Sequence, residues 1–327
     1  MVYTPVSLLL LCTIILRTLI AIARTNWLIA WASIELNLLS FIPLILNSRS
    51  NQETEGAIKY FLAQALGSAL ILLSRISIWH SHSPLIILIL TTSLLLKLGA
   101  APCHFWFPQV ISAISWINCF IAATWQKLAP LFLLIFLTQS SHQLILFVCV
   151  INRIIGGILG INQSHLRTLL AYSSITHIGW TLSPLTIQCP NLACLYFILY
   201  CIIAAPIFLC LAHPSVRNPN QFNLIPKINL LLISFLLLSL RGLPPLTGFL
   251  PKWILIKYLS FKYQVLTLFL LLGSYLNLYF YLTVTFSSII TPRNCNQPRT
   301  IRPPLLTIAA TSCLGLIILS YALTFFY

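Results

Sequence analysis

Glu35, Lys97, Lys127 and Lys252 stand inside long apolar stretches of the sequence. A lysine ammonium at the centre of a bilayer costs about 2.5–3.5 kcal/mol on insertion scales, so such a residue is a functional candidate by default. Burial disfavours the ammonium, whereas a nearby carboxylate favours it. A lysine balanced between these two effects can take up and release a proton, and an acid–lysine pair titrates jointly. These residue types therefore predict proton transfer at membrane depth.

Lys97 has the clearest setting of the four. It ends an apolar stretch that runs from Ser83, and Gly99 and Pro102 follow almost at once. Proline has no amide hydrogen to donate, and its ring clashes with the preceding turn, so a helix is expected to break here. Backbone groups exposed by a break in a membrane need water or a polar partner, which predicts a hydrated cavity beside Lys97.

Two histidines are candidate proton relays, because imidazole titrates nearest to physiological pH. They are His104, which follows the first break, and His177, which lies one helical turn after Ser173. Less specific roles are open for all these residues. The histidines could be hydrogen-bonded structural groups, the lysines could extend to a membrane interface, and Glu35 could be neutral and bonded to another helix.

The composition is that of a polytopic membrane protein. Of 327 residues, 59% are hydrophobic and only 6% are charged, against about 25% charged residues in a soluble domain. The 18 Lys and Arg residues against three glutamates give a net charge of +15. In a soluble protein this excess would suggest nucleic acid. Here most of the basic residues lie in short loops, which indicates membrane topology and anionic lipid headgroups instead.

No motif for a bound cofactor is present in the sequence. The ten cysteines are scattered along the sequence and mostly lie inside apolar runs, and they do not have the spacing of metal ligands. We find no phosphate-binding loop, no glycine fingerprint for a dinucleotide and no nucleophile triad. We therefore expect no cofactor, no metal and no redox centre in this chain.

The apolar pattern predicts an all-α fold with about eleven transmembrane helices. The predicted spans cover residues 3–22, 26–46, 57–79, 84–109, 113–138, 143–161, 166–186, 191–212, 228–259, 263–288 and 305–326.

Two predicted spans are interrupted in comparable ways, the fourth at Gly99 and Pro102 and the ninth between Gly242 and Gly248. They lie five spans apart, and this odd offset gives them opposite orientations. Broken helices at corresponding positions are typical of inverted repeats that carry an ion path. We therefore expect one transmembrane domain over residues 1–327. Its first half-repeat would cover about 3–138, its second about 143–288, and a terminal helix 305–326.

The charges of the loops predict the orientation of the chain in the membrane, because loops rich in lysine and arginine lie on the cytoplasmic side or its equivalent. Even-numbered loops, on the side of the N-terminus, hold Arg49, Arg167, Arg217, Lys227, Arg293, Arg299 and Arg302. Odd-numbered loops hold Arg24 and Lys262, with Lys257 nearby. The N-terminus is expected on the inner side and the C-terminus on the outer side.

Four motifs in this order resemble the antiporter-like membrane subunits of respiratory complex I that mitochondria encode. They are KLGAAPCHFWFP from Lys97, TWQKLAP from Thr124, LLAYSSITHIGW from Leu169 and GLPPLTGFLPKW from Gly242. IELNLLSFIP from Ile34 and EGAIKYFLAQ from Glu55 also match. The resemblance covers residues from about 26 to 285, and eleven spans suit the shortened animal form of this antiporter-like fold.

The resemblance implies a role for each candidate residue. Glu35 would be the carboxylate partner of Lys97, Lys127 the central lysine, and Lys252 the lysine of the second broken helix. Protons would pass along this mid-membrane row, driven by quinone reduction in another subunit. The chain would then belong to a proton-translocating NADH:ubiquinone reductase in which FMN, iron–sulfur clusters and ubiquinone are bound by other subunits.

Partners and location also follow from the resemblance. The expected partners are other subunits of the membrane arm of complex I and lipids, with cardiolipin as one candidate, and no nucleic acid. The expected location is the mitochondrial inner membrane, with the N-terminus on the matrix side and the C-terminus facing the intermembrane space.

The sequence departs from the family pattern at three positions: Arg241 stands where glycine is expected, Cys103 where phenylalanine is usual, and Gln109 where glutamate is usual. Arg241 places a permanent charge beside the second break, where it could pair with lipid phosphate or alter the path to Lys252.

Two other functions remain open for the chain as a whole, a subunit of a freestanding secondary cation/proton antiporter and a structural membrane spacer.

Overall fold

The computed structural model describes residues 5–23, 26–48, 50–80, 84–137, 141–212, 218, 227–243 and 246–290. All the regular structure in these residues is helical, as the sequence predicts. The predicted eleventh span, 305–326, lies outside the described residues.

Thirteen α-helices occur in the described part of the chain. They are α1 (Pro5–Ala23), α2 (Trp27–Ile45), α3 (Asn51–His80), α4 (Pro84–Leu98), α5 (Trp106–Ala113), α6 (Trp116–Ala123), α7 (Trp125–Phe136), α8 (His142–Ile161), α9 (Leu166–Leu182), α10 (Pro190–Ala212), α11 (Lys227–Arg241), α12 (Phe249–Ser260) and α13 (Gln264–Ile290). Short 3₁₀ helices follow α2 and α9, at Leu46–Ser48 and Ser183–Ile187.

Apolar residues surround most of these helices on all sides, which is typical of membrane spans. Seven described segments are long and apolar enough to cross a membrane: Pro5–Ala23, Trp27–Ile45, Asn51–Ile78, Trp116–Phe136, His142–Ile161, Pro190–Ala212 and Gln264–Phe286. Pro84–Leu98 and Leu230–Arg241 are shorter apolar helices, and each is the first part of an interrupted span.

The chain divides into two compact units, Met1–Val148 and Cys149–Tyr327, with the boundary inside α8. The first unit contains the broken helix α4–α5, and the second contains the broken helix α11–α12. The predicted interruptions of the fourth and ninth spans are thus confirmed. The inverted relation of the two half-repeats stays a prediction.

Glycine ends the first part of each broken helix. Gly99 has φ +69° and Gly242 has φ +75°, a left-handed conformation that glycine adopts without steric cost. The amides of Gly99 and of the next residue donate to the carbonyls of Leu96 and Leu95, both at 3.0 Å, the pattern of a Schellman cap. The Gly242 amide donates to the Ser239 carbonyl at 3.0 Å. The first part of each broken helix therefore ends at a glycine that is hydrogen-bonded to the last turn.

A third interruption was not predicted. The fifth span is divided into α6 and α7 at Thr124, whose backbone has φ −116° and ψ −72°. The Thr124 hydroxyl donates to the Phe120 carbonyl at 2.6 Å, a local bond that competes with regular helix geometry. This places the amino end of α7, which contains Lys127, in the interior of the span.

Candidate proton-transfer sites at two helix breaks

Lys97 lies in the last turn of α4, with only 3% of its surface exposed. Its aliphatic stem packs on Gly67 of α3, a position without a side chain. The Lys97 ammonium makes no hydrogen bond to any described residue. Its carbonyl, in contrast, accepts a bond of 3.2 Å from the Gln64 amide. The ammonium is therefore buried at the carbonyl end of a helix, where the helix dipole favours a cation.

Glu35 is the predicted carboxylate partner of Lys97. It lies half-buried in the middle of α2 and acts on Lys97 electrostatically. Among the described residues, neither a hydrogen bond nor an ion pair within 4.0 Å joins the two. A proton moving between them has to cross a gap wider than one hydrogen bond, which a water molecule could bridge.

His104 lies in the break that follows Lys97 and is buried. Its Nδ1 is 3.1 Å from the Pro102 carbonyl, whereas its Nε2 has no hydrogen-bond partner among the residues described. The break is also braced by Trp106, whose indole N–H donates to the Leu96 carbonyl at 3.1 Å. One imidazole nitrogen is thus held by the backbone and the other is available for proton exchange.

Lys127 follows Thr124 in the first turn of α7 and is 3% exposed. Its ammonium lies 4.4 Å from the centroid of the Phe107 ring, within range of a cation–π interaction. Phe107 belongs to α5 and also packs against Gly99. The same ring therefore contacts Lys127 and the glycine that ends α4, so the first unit brings both of its candidate lysines to one break.

Two amides beside these residues were not singled out from the sequence. Asn37 of α2 donates to Gln126 of α7 at 2.9 Å, and Gln126 donates back at 3.4 Å. Asn37 lies two residues after Glu35, and Gln126 directly precedes Lys127. This reciprocal pair fixes α2 against α7 and thereby sets the positions of the acid and the lysine.

We expect Gln126→Leu to destabilise the protein, because it leaves the buried Asn37 amide without its partner. An unsatisfied buried polar group costs about 1–3 kcal/mol, whereas replacing both partners with apolar groups can be nearly neutral. The double variant Asn37→Leu/Gln126→Leu should therefore melt at a higher temperature than the single variant. Thermal unfolding of the purified assembly measures this. A double variant less stable than either single variant would contradict the pairing.

In the second unit, Lys252 lies in the first turn of α12 and is 8% exposed. Its ammonium donates to the carbonyl of Arg241, the last residue of α11. Its stem runs along Gly242, where a Cβ would lie 3.2 Å from Cδ of Lys252. Lys252 follows its break in sequence, yet it reaches back to the carbonyl end of the helix before the break. Both broken helices therefore place a lysine ammonium at the same kind of helix end.

His177 lies buried in α9, and its Nδ1 is 2.9 Å from the Tyr196 hydroxyl. Its ring also contacts Tyr200, at a centroid distance of 4.8 Å. A cavity of about 10 Å³, room for roughly one water molecule, lies beside it. The cavity is lined by His177, Tyr196, Tyr200, Ile203, Leu240, Gly248 and Pro251. It places His177 next to residues of α11 and α12 on both sides of the second break.

Arg153 is a buried cation that the sequence predictions left out. It lies in α8, is 1% exposed, and donates to the Leu270 carbonyl from Nε at 3.2 Å and from Nη2 at 2.7 Å. Nη1 donates to the Thr176 carbonyl at 3.3 Å, and the guanidinium lies 5.2 Å from the Trp180 ring. The sequence feature that could have revealed Arg153 is the same as for Lys97, namely an ionisable residue inside an apolar span.

Comparison with known proteins shows the family of the chain. A family model described as NADH:quinone oxidoreductase/Mrp antiporter matches residues 24–277, more than half of the chain. The chain belongs to this family.

The relatives within this NADH:quinone oxidoreductase/Mrp antiporter family are similar over most of their length. NADH-ubiquinone oxidoreductase chain 2 of Lumbricus terrestris is 43% identical over 296 residues, which cover 88% of each chain. The protein of that name from Gallus gallus is 38% identical over 307 residues, again 88% of each chain. These identities confirm the resemblance seen in the four motifs.

Solved structures show the same fold. A chain of respiratory complex I from Thermus thermophilus has a TM-score of 0.82 at 23% identity, covering 94% of this chain and 77% of that one. A chain of the Mrp complex from Dietzia has a TM-score of 0.79 at 17% identity, covering 93% and 63%. The predicted antiporter-like, multi-pass membrane fold is confirmed. The roles of the six candidate residues stay predictions.

The packing of Lys97 in this member of the family gives a prediction. A Cβ at position 67 would lie 2.9 Å from Cγ of Lys97, so Gly67→Ala should displace the lysine stem. We expect proton translocation to fall several-fold, as roughly 1 Å of misplacement at a reacting group can cost up to about 10²-fold. Gly56→Ala is the control, because its Cβ would lie equally close, at 2.9 Å, to Ala113. Equal losses in the two variants would contradict a specific effect on Lys97.

Proposed function

We propose that this chain is a core membrane subunit of a proton-pumping NADH:ubiquinone oxidoreductase, respiratory complex I. It would translocate protons through Glu35, Lys97, Lys127 and Lys252. The observation that carries the proposal is the burial of lysine ammonium groups at the carbonyl ends of two broken helices. In membrane transporters, such interrupted helices supply the charges and carbonyls that bind coupling ions.

Lys97 can change its protonation state because opposing effects act on it. Burial removes the ammonium from water and favours the neutral amine. The Glu35 carboxylate and the carbonyl end of α4 favour the charged form. A change in the charge of Glu35 or of a neighbouring group would shift this balance, and Lys97 would then release or bind a proton.

The histidines provide the intermediate steps in this proposal. His104 could receive a proton at Nε2 while Nδ1 remains against the Pro102 carbonyl. In the second unit, His177 could exchange a proton with the Tyr196 hydroxyl or with a water in the adjacent cavity. That cavity is lined by residues on both sides of the break that Lys252 spans, so His177 would serve the second lysine.

The energy for translocation has to come from elsewhere in the complex. Moving one proton against the membrane potential costs roughly 2.3 kcal/mol per 100 mV. The groups proposed for this chain exchange protons but undergo no reaction that releases energy. Quinone reduction in another subunit would supply it, and FMN, iron–sulfur clusters and ubiquinone would be bound by other subunits. The partners would accordingly be the other membrane-arm subunits.

We place the chain in the mitochondrial inner membrane, with its N-terminus on the matrix side and its C-terminus facing the intermembrane space. The support is the basic residues of the even-numbered loops and the animal relatives. The same basic loops would contact anionic lipids such as cardiolipin.

The likeness to the Mrp complex supports a second candidate, a subunit of a freestanding cation/proton antiporter. Purification by a tag on this chain distinguishes the two. A complex I subunit should bring down a flavin- and iron–sulfur-containing assembly with NADH:ubiquinone reductase activity. Recovery of an assembly that exchanges sodium for protons without this activity would overturn our proposal in favour of the antiporter.

A further inference from the structure

Arg241 is the buried cation of the second unit that lacks a hydrogen-bond acceptor. It ends α11 and is 6% exposed. Its guanidinium lies 4.3 Å from the Tyr281 ring centroid and 5.1 Å from that of Phe280, both on α13. None of its three nitrogens forms a hydrogen bond with a described residue. Aromatic faces attract the charge, but they leave the in-plane N–H donors of the guanidinium without acceptors.

The other two cations of this region are already bonded. Arg153 donates to the carbonyls of Leu270 and Thr176, and Lys252 donates to the carbonyl of Arg241. Both lie close enough to act on one another or on Arg241 electrostatically. Of these three cations, only Arg241 has no hydrogen bond from its charged group in the described structure.

No acidic residue of the second unit can neutralise this region. The only acidic side chains of the whole chain are Glu35, Glu53 and Glu55, so no side-chain carboxylate occurs in residues 149–327. A buried charge is normally paired or hydrogen-bonded. The guanidinium is permanently protonated and cannot become neutral, as a lysine can. A negative partner of Arg241 therefore has to come from outside the second unit.

The depth of Arg241 restricts what that partner can be. At about 1.5 Å per residue, Arg241 lies about 21 Å along α11 from Lys227, and α12 extends about 17 Å beyond the break. In a hydrocarbon layer about 30 Å thick, this places the guanidinium far from both headgroup regions. A lipid phosphate would not reach it, and 6% exposure leaves little surface for a partner side chain.

We propose that Arg241 forms an internal binding site for a small monovalent anion, chloride in the cell. The guanidinium supplies N–H donors, and Arg153 and Lys252 add positive potential. The bound anion would neutralise part of the cation cluster beside Lys252. The site does not depend on whether the chain translocates protons.

Binding of radioactive chloride to the purified complex tests the proposal. The complex is equilibrated in gluconate buffer, then with labelled chloride, and the bound chloride is counted per complex. We expect Arg241→Gly to bind one chloride fewer than the wild-type complex. Lys257→Ala, which removes an exposed charge from the same helix as Lys252, should bind the wild-type number. Equal numbers in the wild-type and Arg241→Gly complexes would overturn the proposal.

A second measurement needs no variant and remains decisive if Arg241→Gly fails to assemble. The wild-type complex is exchanged into bromide, and its structure is determined by anomalous diffraction. We expect a bromide peak within hydrogen-bonding distance of the Arg241 guanidinium. A lipid phosphate there, a carboxylate of a partner subunit, or no bromide at all would each refute the anion site. NADH:ubiquinone reductase activity and proton pumping, measured in parallel, test the proposed function separately.

Discussion

Lys97→Ala should abolish most of the proton translocation by the assembled complex. The substitution removes the ammonium that interacts with Glu35 and leaves only a methyl group at the end of α4. A positioned side chain that transfers a proton contributes roughly 10²–10⁴-fold to a rate, so we expect a loss of at least about tenfold. NADH-driven proton uptake into proteoliposomes, followed with a pH-sensitive dye, measures it.

Lys59→Ala is a matched control for this prediction. Lys59 lies on α3 in the same unit, but its side chain is 40% exposed and pairs with Glu55 at 2.5 Å, as its spacing predicts for a surface pair. Surface pairs contribute about 0–1 kcal/mol, so pumping should remain near the wild-type rate. If Lys97→Ala pumped as well as Lys59→Ala in a complex of normal subunit content, Lys97 would be a structural residue.

The sequence predicted those features that depend on local physics. The first ten predicted spans correspond to described helices, because hydrocarbon composition and length determine a membrane helix. Both interruptions were predicted from glycine and proline, and Gly99 and Gly242 adopt the left-handed conformation that ends the first part of each helix. The burial of Lys97 and Lys127 followed from their position in apolar runs.

Contacts between distant segments could not be predicted in this way. Asn37 and Gln126 are 89 positions apart, and nothing local to either amide indicates the other. The break at Thr124 was missed because threonine is common inside helices, and neither glycine nor proline marks this position. Arg153 was detectable as a charge in an apolar run, but its carbonyl partner Leu270 follows 117 positions later.

The two breaks differ in a way that matters for mechanism. Lys97 lies two residues before the glycine that ends its helix, whereas Lys252 lies ten residues after the corresponding glycine. Lys97 acquires its position from the helix to which it belongs. Lys252 acquires an equivalent position by extending across the break to the Arg241 carbonyl. Lys97 has a carboxylate acting on it, whereas Lys252 has two arginines, so the two ammonium groups are held in different electrostatic environments.

This contrast leads to opposite expectations for stability. In Lys97→Ala, the buried stem that packs on Gly67 is lost and leaves a cavity, so the melting temperature should fall. In Lys252→Ala, one of three mutually repelling cations disappears, while the lost bond to the Arg241 carbonyl offsets part of that gain. The melting temperature of the Lys252→Ala complex should therefore equal or exceed that of the wild type, as is often found when a functional charge is removed.

Proton translocation by the Lys252→Ala complex should nevertheless fall by at least about tenfold, because the second unit loses its proposed proton-carrying group. Lys257→Ala is the control, since Lys257 lies exposed on the same helix. Pumping and thermal unfolding are measured on the same preparations. A loss of pumping together with a marked drop in melting temperature would indicate that Lys252 mainly holds α12 against α11. A loss of pumping at undiminished stability would support a role of the ammonium in proton transfer.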